Sequence, residues 1–227
     1  MATVEGRVLS VNVGRPRMFE FNGRQVRSAI WKSPVPGRVA ARGVNLEGDD
    51  QADRKAHGGP DKAVYAYAIE DLRWWETELS RSLPVAQFGE NLTTEGIDVN
   101  GALVGERWEI GTMLLEVSEP RVPCWRLGVR MDDSGFIRRF TQALRPGAYL
   151  RIVAEGSVAA GDKIVVVERP DHGLTVRDVL RIYSRDREEA GRLLAVPRMS
   201  ESWKAWAQAL LRKAGSGGAP ADEPGCG

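Results

Sequence analysis

The sequence predicts a mainly β chain, a closed or nearly closed barrel with peripheral helices, followed by a small module of three helices. Three observations predict it. Short alternating runs separated by glycine-rich turns fill the first two-thirds of the chain, one amphipathic helix interrupts them, and after Pro170 the apolar period changes from two to 3.6. Many short strands joined by glycine-rich turns are the pattern of barrels.

Taken in order, Val4–Val13 carries Val4, Val8, Val11 and Val13 among glycine and polar residues. Arg24–Lys32 alternates through Val26, Ser28 and Ile30, and Val64–Ala68 is a short apolar run with two tyrosines. Leu72, Trp75, Leu79 and Leu83 share one face of an expected helix over Glu70–Leu83, stopped by Pro84. Arg107–Glu119 alternates around Trp108, Ile110, Leu115 and Val117. Phe136–Leu144 is a second candidate helix. Tyr149–Ala154 and Lys163–Glu168, joined through Glu155-Gly156-Ser157 and Gly161-Asp162, read as paired strands.

Beyond Pro170, Thr175 is placed to cap a helix over Val176–Tyr183, Asp186 to start a second through Val196, and Ser200 to cap a third carrying Trp203, Ala207 and Leu210 on one face. The organisation expected is a barrel over residues 1–170, the helical module over 171–213, and a disordered Gly/Ala/Pro-rich tail over 214–227.

Composition narrows the function. The 227 residues carry 32 Lys+Arg against 31 Asp+Glu, a net charge of +1, so no global field holds a nucleic acid or an anionic membrane, and any anion site is local. No apolar run approaches a membrane span and the start lacks the regions of a signal peptide, which makes the cytoplasm the expected location. The two cysteines, Cys124 and Cys226, exclude a disulfide framework and an iron–sulfur cluster held by four cysteines of one chain. Two histidines, His57 and His172, argue against a His-rich zinc site. Neither a GxGxxG nor a GxxxxGK[ST] loop is present.

Four segments carry chemical content. Lys32-Ser33, at a strand exit before Pro34, offers a cation and a hydroxyl. The stretch Gly48–Val64 concentrates charge, His57 and the Gly58-Gly59 pair just before a buried-looking strand. Phe88-Gly89-Glu90-Asn91-Leu92 either presents an amide to a ligand edge or closes an ordinary turn. Pro120-Arg121-Val122-Pro123-Cys124-Trp125-Arg126 stiffens the backbone around a cysteine flanked by two arginines. Such neighbours favour the thiolate, the form that binds soft metals, although a free cysteine is as often a small buried hydrophobe.

In this order the segments resemble the MOSC family, named for the C-terminal domain of molybdenum-cofactor sulfurase, and within it the YiiM-type branch with a C-terminal three-helix module. The resemblance is carried by Gly43–Asp53, His57-Gly58-Gly59-Pro60-Asp61-Lys62-Ala63, Phe88–Gly96 and Pro120–Cys124, and extends over about residues 4–213. It implies a barrel that holds the molybdenum cofactor, a pterin dithiolene with a phosphate tail, and a metal ligand at Cys124. Lys32 and Ser33 match a basic–hydroxyl pair that holds the cofactor in relatives. Arg54, His57, Asp61, Lys62, Glu90 and Asn91 match motif positions, and Lys32, Arg54, Lys62 and Arg121 are the implied cations for the phosphate. Gly58 and Gly59 would let the backbone approach a planar ligand.

The activity implied is reduction of N-hydroxylated compounds such as hydroxylaminopurine-type bases, with two electrons from a separate reductase or redox carrier. The three-helix module is one docking surface for that donor. Three other readings compete: a molybdopterin or sulfur carrier without turnover, a scaffold docking a partner through Trp203, Trp206 and Leu210, and a disfavoured cysteine hydrolase pairing Cys124 with His57. The sequence leaves the oligomeric state open, a homodimer included.

Overall fold

A computed structural model describes residues 3–51 and 58–216. The N-terminal half contributes strands β1 (Thr3–Val13), β2 (Arg17–Phe21), β3 (Arg24–Ser28), β4 (Ser33–Pro34), β5 (Val39–Arg42), β6 (Asn45–Leu46) and β7 (Val64–Ala68). Helix α1 (Ile69–Leu79) follows, then β8 (Leu92–Glu95), β9 (Arg107–Ile110) and β10 (Met113–Pro120). Helices α2 (Trp125–Met131) and α3 (Phe136–Ala143) precede β11 (Ala148–Ala154), β12 (Gly156–Val158) and β13 (Lys163–Glu168). The chain ends in α4 (Val176–Ser184), the single turn α5 (Gly191–Leu194) and α6 (Glu201–Ser216).

Seven strands close into a barrel in the order β13-β9-β10-β11-β7-β8-β1, with β1 returning to β13. All contacts around the ring are antiparallel except β7 with β8, which run parallel and are joined through α1, the crossover a parallel pair requires. Every residue of β7 is buried, and the two-residue period explains why. Val64, Ala66 and Ala68 face the barrel core, while Tyr65 and Tyr67 face a second core built with Trp75 of α1, Phe88, and Phe136 and Phe140 of α3. Its rings pack edge-to-face, stacked or tilted, with Tyr67 and Phe88 centroids 4.8 Å apart and Trp75 donating its indole N–H to the Tyr67 hydroxyl at 3.0 Å.

The C-terminal helices share the barrel's own apolar core. Thr175 caps α4 through a reciprocal box with Asp178, and Val176, Val179, Leu180 and Ile182 join the same cluster as Val8, Trp108 and Val117. Trp203 and Trp206 are buried against Tyr183, with ring centroids 5.6 and 5.5 Å from it. The aromatic stripe is therefore an internal seam, not an exposed docking face. His172 is a structural residue here: its Nε2 lies 2.8 Å from the Val104 carbonyl, and its Nδ1 accepts the Leu174 N–H at 3.0 Å.

Several expected elements change. Tyr149–Ala154 and Lys163–Glu168 do not pair with each other: β11 lies between β10 and β7, and β13 between β9 and β1. The segment between them leaves the ring as β12 to join β5. The run Arg107–Glu119 is a hairpin, β9 and β10, turned at Gly111, whose φ of 61° suits glycine. Helix α1 stops at Leu79, four residues short of Leu83, because Ser80 takes a left-handed cap that donates to the Glu76 and Thr77 carbonyls. The second C-terminal helix is a 3-10 turn, Arg187–Ala190, running into α5. Residues 214–216 continue α6, and the rest of the tail, with Cys226, lies outside the described residues.

Candidate functional site

The segments that follow β3, precede β7 and β8, and follow β10 converge on one open cleft with a cavity of about 110 Å³. Cys124, Arg121, Arg126, Lys32, Lys62 and Tyr149 all line it. Backbone geometry explains the convergence. Asn91 bridges three segments: its Oδ1 accepts the Tyr65 N–H at 3.0 Å, and its Nδ2 donates to the Asn12 carbonyl at 3.2 Å and to Asp49 at 2.8 Å. Gly89, at φ 76°, lets the chain pass against Ile30, where a Cβ would stand 2.9 Å from the isoleucine side chain.

The cations in the cleft differ in what balances them. Lys32 is ion-paired with Asp49 inside the site, with 9% and 4% of the side chains exposed. Burial pulls the lysine below its ordinary pKa, although the Asp49 charge and hydrogen bond act the other way. Lys62 stands 3.0 Å from Glu119; burial works against its charge, but the Glu119 charge and hydrogen bond outweigh it and hold the ammonium above its ordinary pKa.

Among the described residues the two guanidiniums of the cleft have no carboxylate partner. Arg121 is buried, donates to the Phe88 carbonyl and lies 5.0 Å over the Tyr65 ring. Arg126 rests 4.7 Å over the Trp125 ring, and its Nη1 is buried without a hydrogen-bond partner. A buried guanidinium nitrogen left unpaired is costly, which marks this atom as a place for an anionic ligand.

Cys124 is a free, half-buried thiol at the extended residue that opens α2, with Pro123 buried before it. It shares an electrostatic cluster with Arg121 and Tyr149. Among the described residues no three His, Cys, Asp or Glu side chains gather to hold a bare metal ion. A metal bound at Cys124 would thus bring most of its ligands with it. One soft sulfur and two guanidiniums that lack counter-charges among the described residues, one with an orphaned Nη1, suit a phosphorylated organic metal cofactor.

The sequence-derived residues separate in space. Lys32, Lys62, Asn91, Arg121 and Cys124 line the cleft together. Ser33 is exposed in β4. Asp61 pairs with Arg151, which also reaches Glu116 at 2.9 Å. Glu90 is fully buried and folds its carboxylate back onto its own turn, accepting the Ala86 and Phe88 N–H groups at 2.7 and 3.1 Å. Gly59 holds φ 95° with its N–H on the Gln51 amide oxygen at 2.7 Å, and a Cβ there would meet open space. The glycine serves the turn's left-handed backbone. Gly58 adjoins it, and Arg54 and His57 lie outside the described residues.

Sequence reasoning took Arg126 only as a neighbour of the Cys124 thiol and left it out of the implied cations for the phosphate; its place two residues after Cys124 was the available signal. It also missed the β2–β3 hairpin beside the cleft, which Asn22-Gly23 announces as a two-residue turn, with φ of 50° and 72°.

Barrel and cleft together define a β-barrel protein with a cysteine and two arginines lining one cleft. The chain belongs to the MOSC domain family: the MOSC domain matches residues 53–165. It is 36% identical to the uncharacterized protein YflK of Bacillus subtilis, over 87% of this chain and 91% of that protein. It is also 32% identical to protein YiiM of Escherichia coli, over 78% and 81%. The crystal structure of YiiM from Geobacillus stearothermophilus superposes with a TM-score of 0.75 at 30% identity, covering 91% of this chain and 99% of that one. A longer protein of Gibberella moniliformis, named reductase, is 32% identical over 78% of this chain, which spans only 32% of it.

Proposed function

We propose that this chain is a molybdenum-cofactor-binding oxidoreductase that reduces N-hydroxylated compounds, hydroxylaminopurine-type bases among them, with electrons from a separate donor. The observation that carries the reading is Cys124 sharing a cleft with Arg121 and Arg126, which among the described residues have no carboxylate partner, one of them with a buried unpaired nitrogen. Family membership and the relative named reductase support it.

The bound cofactor would supply a two-electron metal centre for N–O cleavage. The protein's own groups do the rest. Cys124 provides the soft ligand. Arg121 and Arg126 take the phosphate, and their planar donors match its oxygens. Lys62, kept as an ammonium by Glu119, holds a proton at Nζ on the cleft wall beside Tyr149. The balance is R–NHOH plus two electrons and two protons giving R–NH2 and water. Lys62 would hydrogen-bond the departing oxygen.

The test is reduction of 6-hydroxylaminopurine by cofactor-loaded protein with dithionite and a viologen dye. The expected result is stoichiometric formation of the amine. Loaded protein that binds molybdenum but leaves the substrate intact would favour a carrier role.

A further inference from the structure

The hairpin of β2 and β3 is not part of the barrel, and among the described residues its strands pair with each other alone. One side of it is pinned beside the cleft by aromatic contacts. Phe21 stacks on Trp125 with centroids 4.5 Å apart and planes at 17°, and Phe19 meets Trp31 edge-on at 4.7 Å. Trp125 is the residue after Cys124 and Trp31 the residue before Lys32, so the hairpin is fastened to both walls of the site.

Its exposed side chains are mostly basic and stand on both faces: by register Arg17 and Arg24 share the aromatic face, and Arg27 lies opposite with Met18 and Glu20. Between residues 15 and 27 stand Arg15, Arg17, Arg24 and Arg27 against a single acid, Glu20, and all five are exposed. Among the described residues Arg15 and Arg24 make no ion pair, Arg27 reaches Asp50 only at 3.7 Å, and Arg17 covers the Trp31 ring at 4.2 Å. Half-buried Arg130 of α2 lies close enough to Arg17 for their charges to oppose each other. Met18, 58% exposed, provides an apolar contact amid the arginines. A protein with a net charge of only +1 thus concentrates positive charge on one element next to its cleft.

We propose that this hairpin is the docking surface for an acidic electron-carrier protein; the proposal rests on the reductase reading above. Complementary charge steers such encounters and fixes their orientation. Docking here brings the carrier onto the element that stacks on Trp125, one residue from Cys124. The carrier gives up two electrons, becoming oxidised, and the substrate N–O bond breaks with uptake of two protons. The three-helix module does not offer this surface, since Trp203 and Trp206 are buried.

The experiment uses cofactor-loaded full-length protein, chemically reduced flavodoxin as an acidic donor, and the surface variant Arg15→Glu/Arg24→Glu. Wild type should accept electrons from flavodoxin, with kcat/KM falling as salt rises. The variant should lose about 10- to 1,000-fold in that rate, while its dye-driven turnover and thermal unfolding stay unchanged. Titration of flavodoxin's flavin fluorescence, read without turnover, should show the same loss of binding. If dye-driven activity is absent but flavodoxin binding is present and charge-dependent, docking stands and the reductase reading falls. A wild type that neither binds nor accepts electrons from flavodoxin overturns the proposal. So does a variant matching wild type, or a loss confined to binding of single-stranded RNA.

Discussion

Asp49 holds Lys32 inside the cleft, and the same carboxylate accepts the Asn91 amide at 2.8 Å and the Gly14 N–H at 2.8 Å. The lysine best placed by sequence to hold a phosphate is half of a buried pair. Removing it leaves an uncompensated carboxylate. Lys32→Ala should therefore destabilise the fold by about 3–5 kcal/mol, and adding Asp49→Asn should restore much of that. Urea denaturation of the two single variants and the double variant measures the coupling.

The lowered pKa of Lys32 has a signed consequence. Between that lowered value and the ordinary 10.5, the unfolded chain binds a proton that the folded chain does not. Stability attributable to Lys32 therefore rises with pH in that window, and the cost of burying its charge is fully present below it. The stability of wild type relative to Lys32→Met should increase between pH 8 and pH 10. A difference that stays flat or falls over that range would refute the burial effect.

Arg126→Gln tests the orphaned guanidinium. Its Nη1 makes no hydrogen bond, so the variant should unfold at the same urea concentration as wild type or a higher one. Retention of the phosphorylated pterin cofactor should drop by roughly 10- to 150-fold, the worth of a hydrogen bond to a charged group. Pterin fluorescence after gel filtration reads the loss.

The C-terminal helices should be indispensable to folding. Trp203→Ala removes a residue 1% exposed and should cost about 3–5 kcal/mol. Ending the chain at residue 170 strips Val176, Leu180, Trp203 and Trp206 from the shared core, and the truncated protein should be insoluble. A soluble, cooperatively unfolding truncation would establish an independent barrel.

Much of this was legible from local chemistry. Thr175 announced the start of α4, and the apolar residues of Val4–Val13 and Val64–Ala68 marked barrel strands, because caps and apolar runs are set by neighbours in sequence. Partner choice was not legible. Nothing in Lys163–Glu168 states that it pairs with β1 and β9 rather than with β11, since register depends on where a distant strand lies. The site divides the same way. The sequence brought out Cys124, Arg121, Lys32 and Lys62, but which cations were already neutralised depended on Asp49, 17 residues from Lys32, and on Glu119, 57 from Lys62. Glu90, in a motif beside Asn91, turns out to serve its own loop.

The role of Cys124 is the central claim, and X-ray absorption at the molybdenum edge of cofactor-loaded protein tests it most directly. Assignment of the thiol as a metal ligand predicts one more sulfur neighbour around molybdenum in wild type than in Cys124→Ala, with Cys226→Ala unchanged. Equal sulfur counts in wild type and Cys124→Ala, or loaded protein without molybdenum, would contradict it.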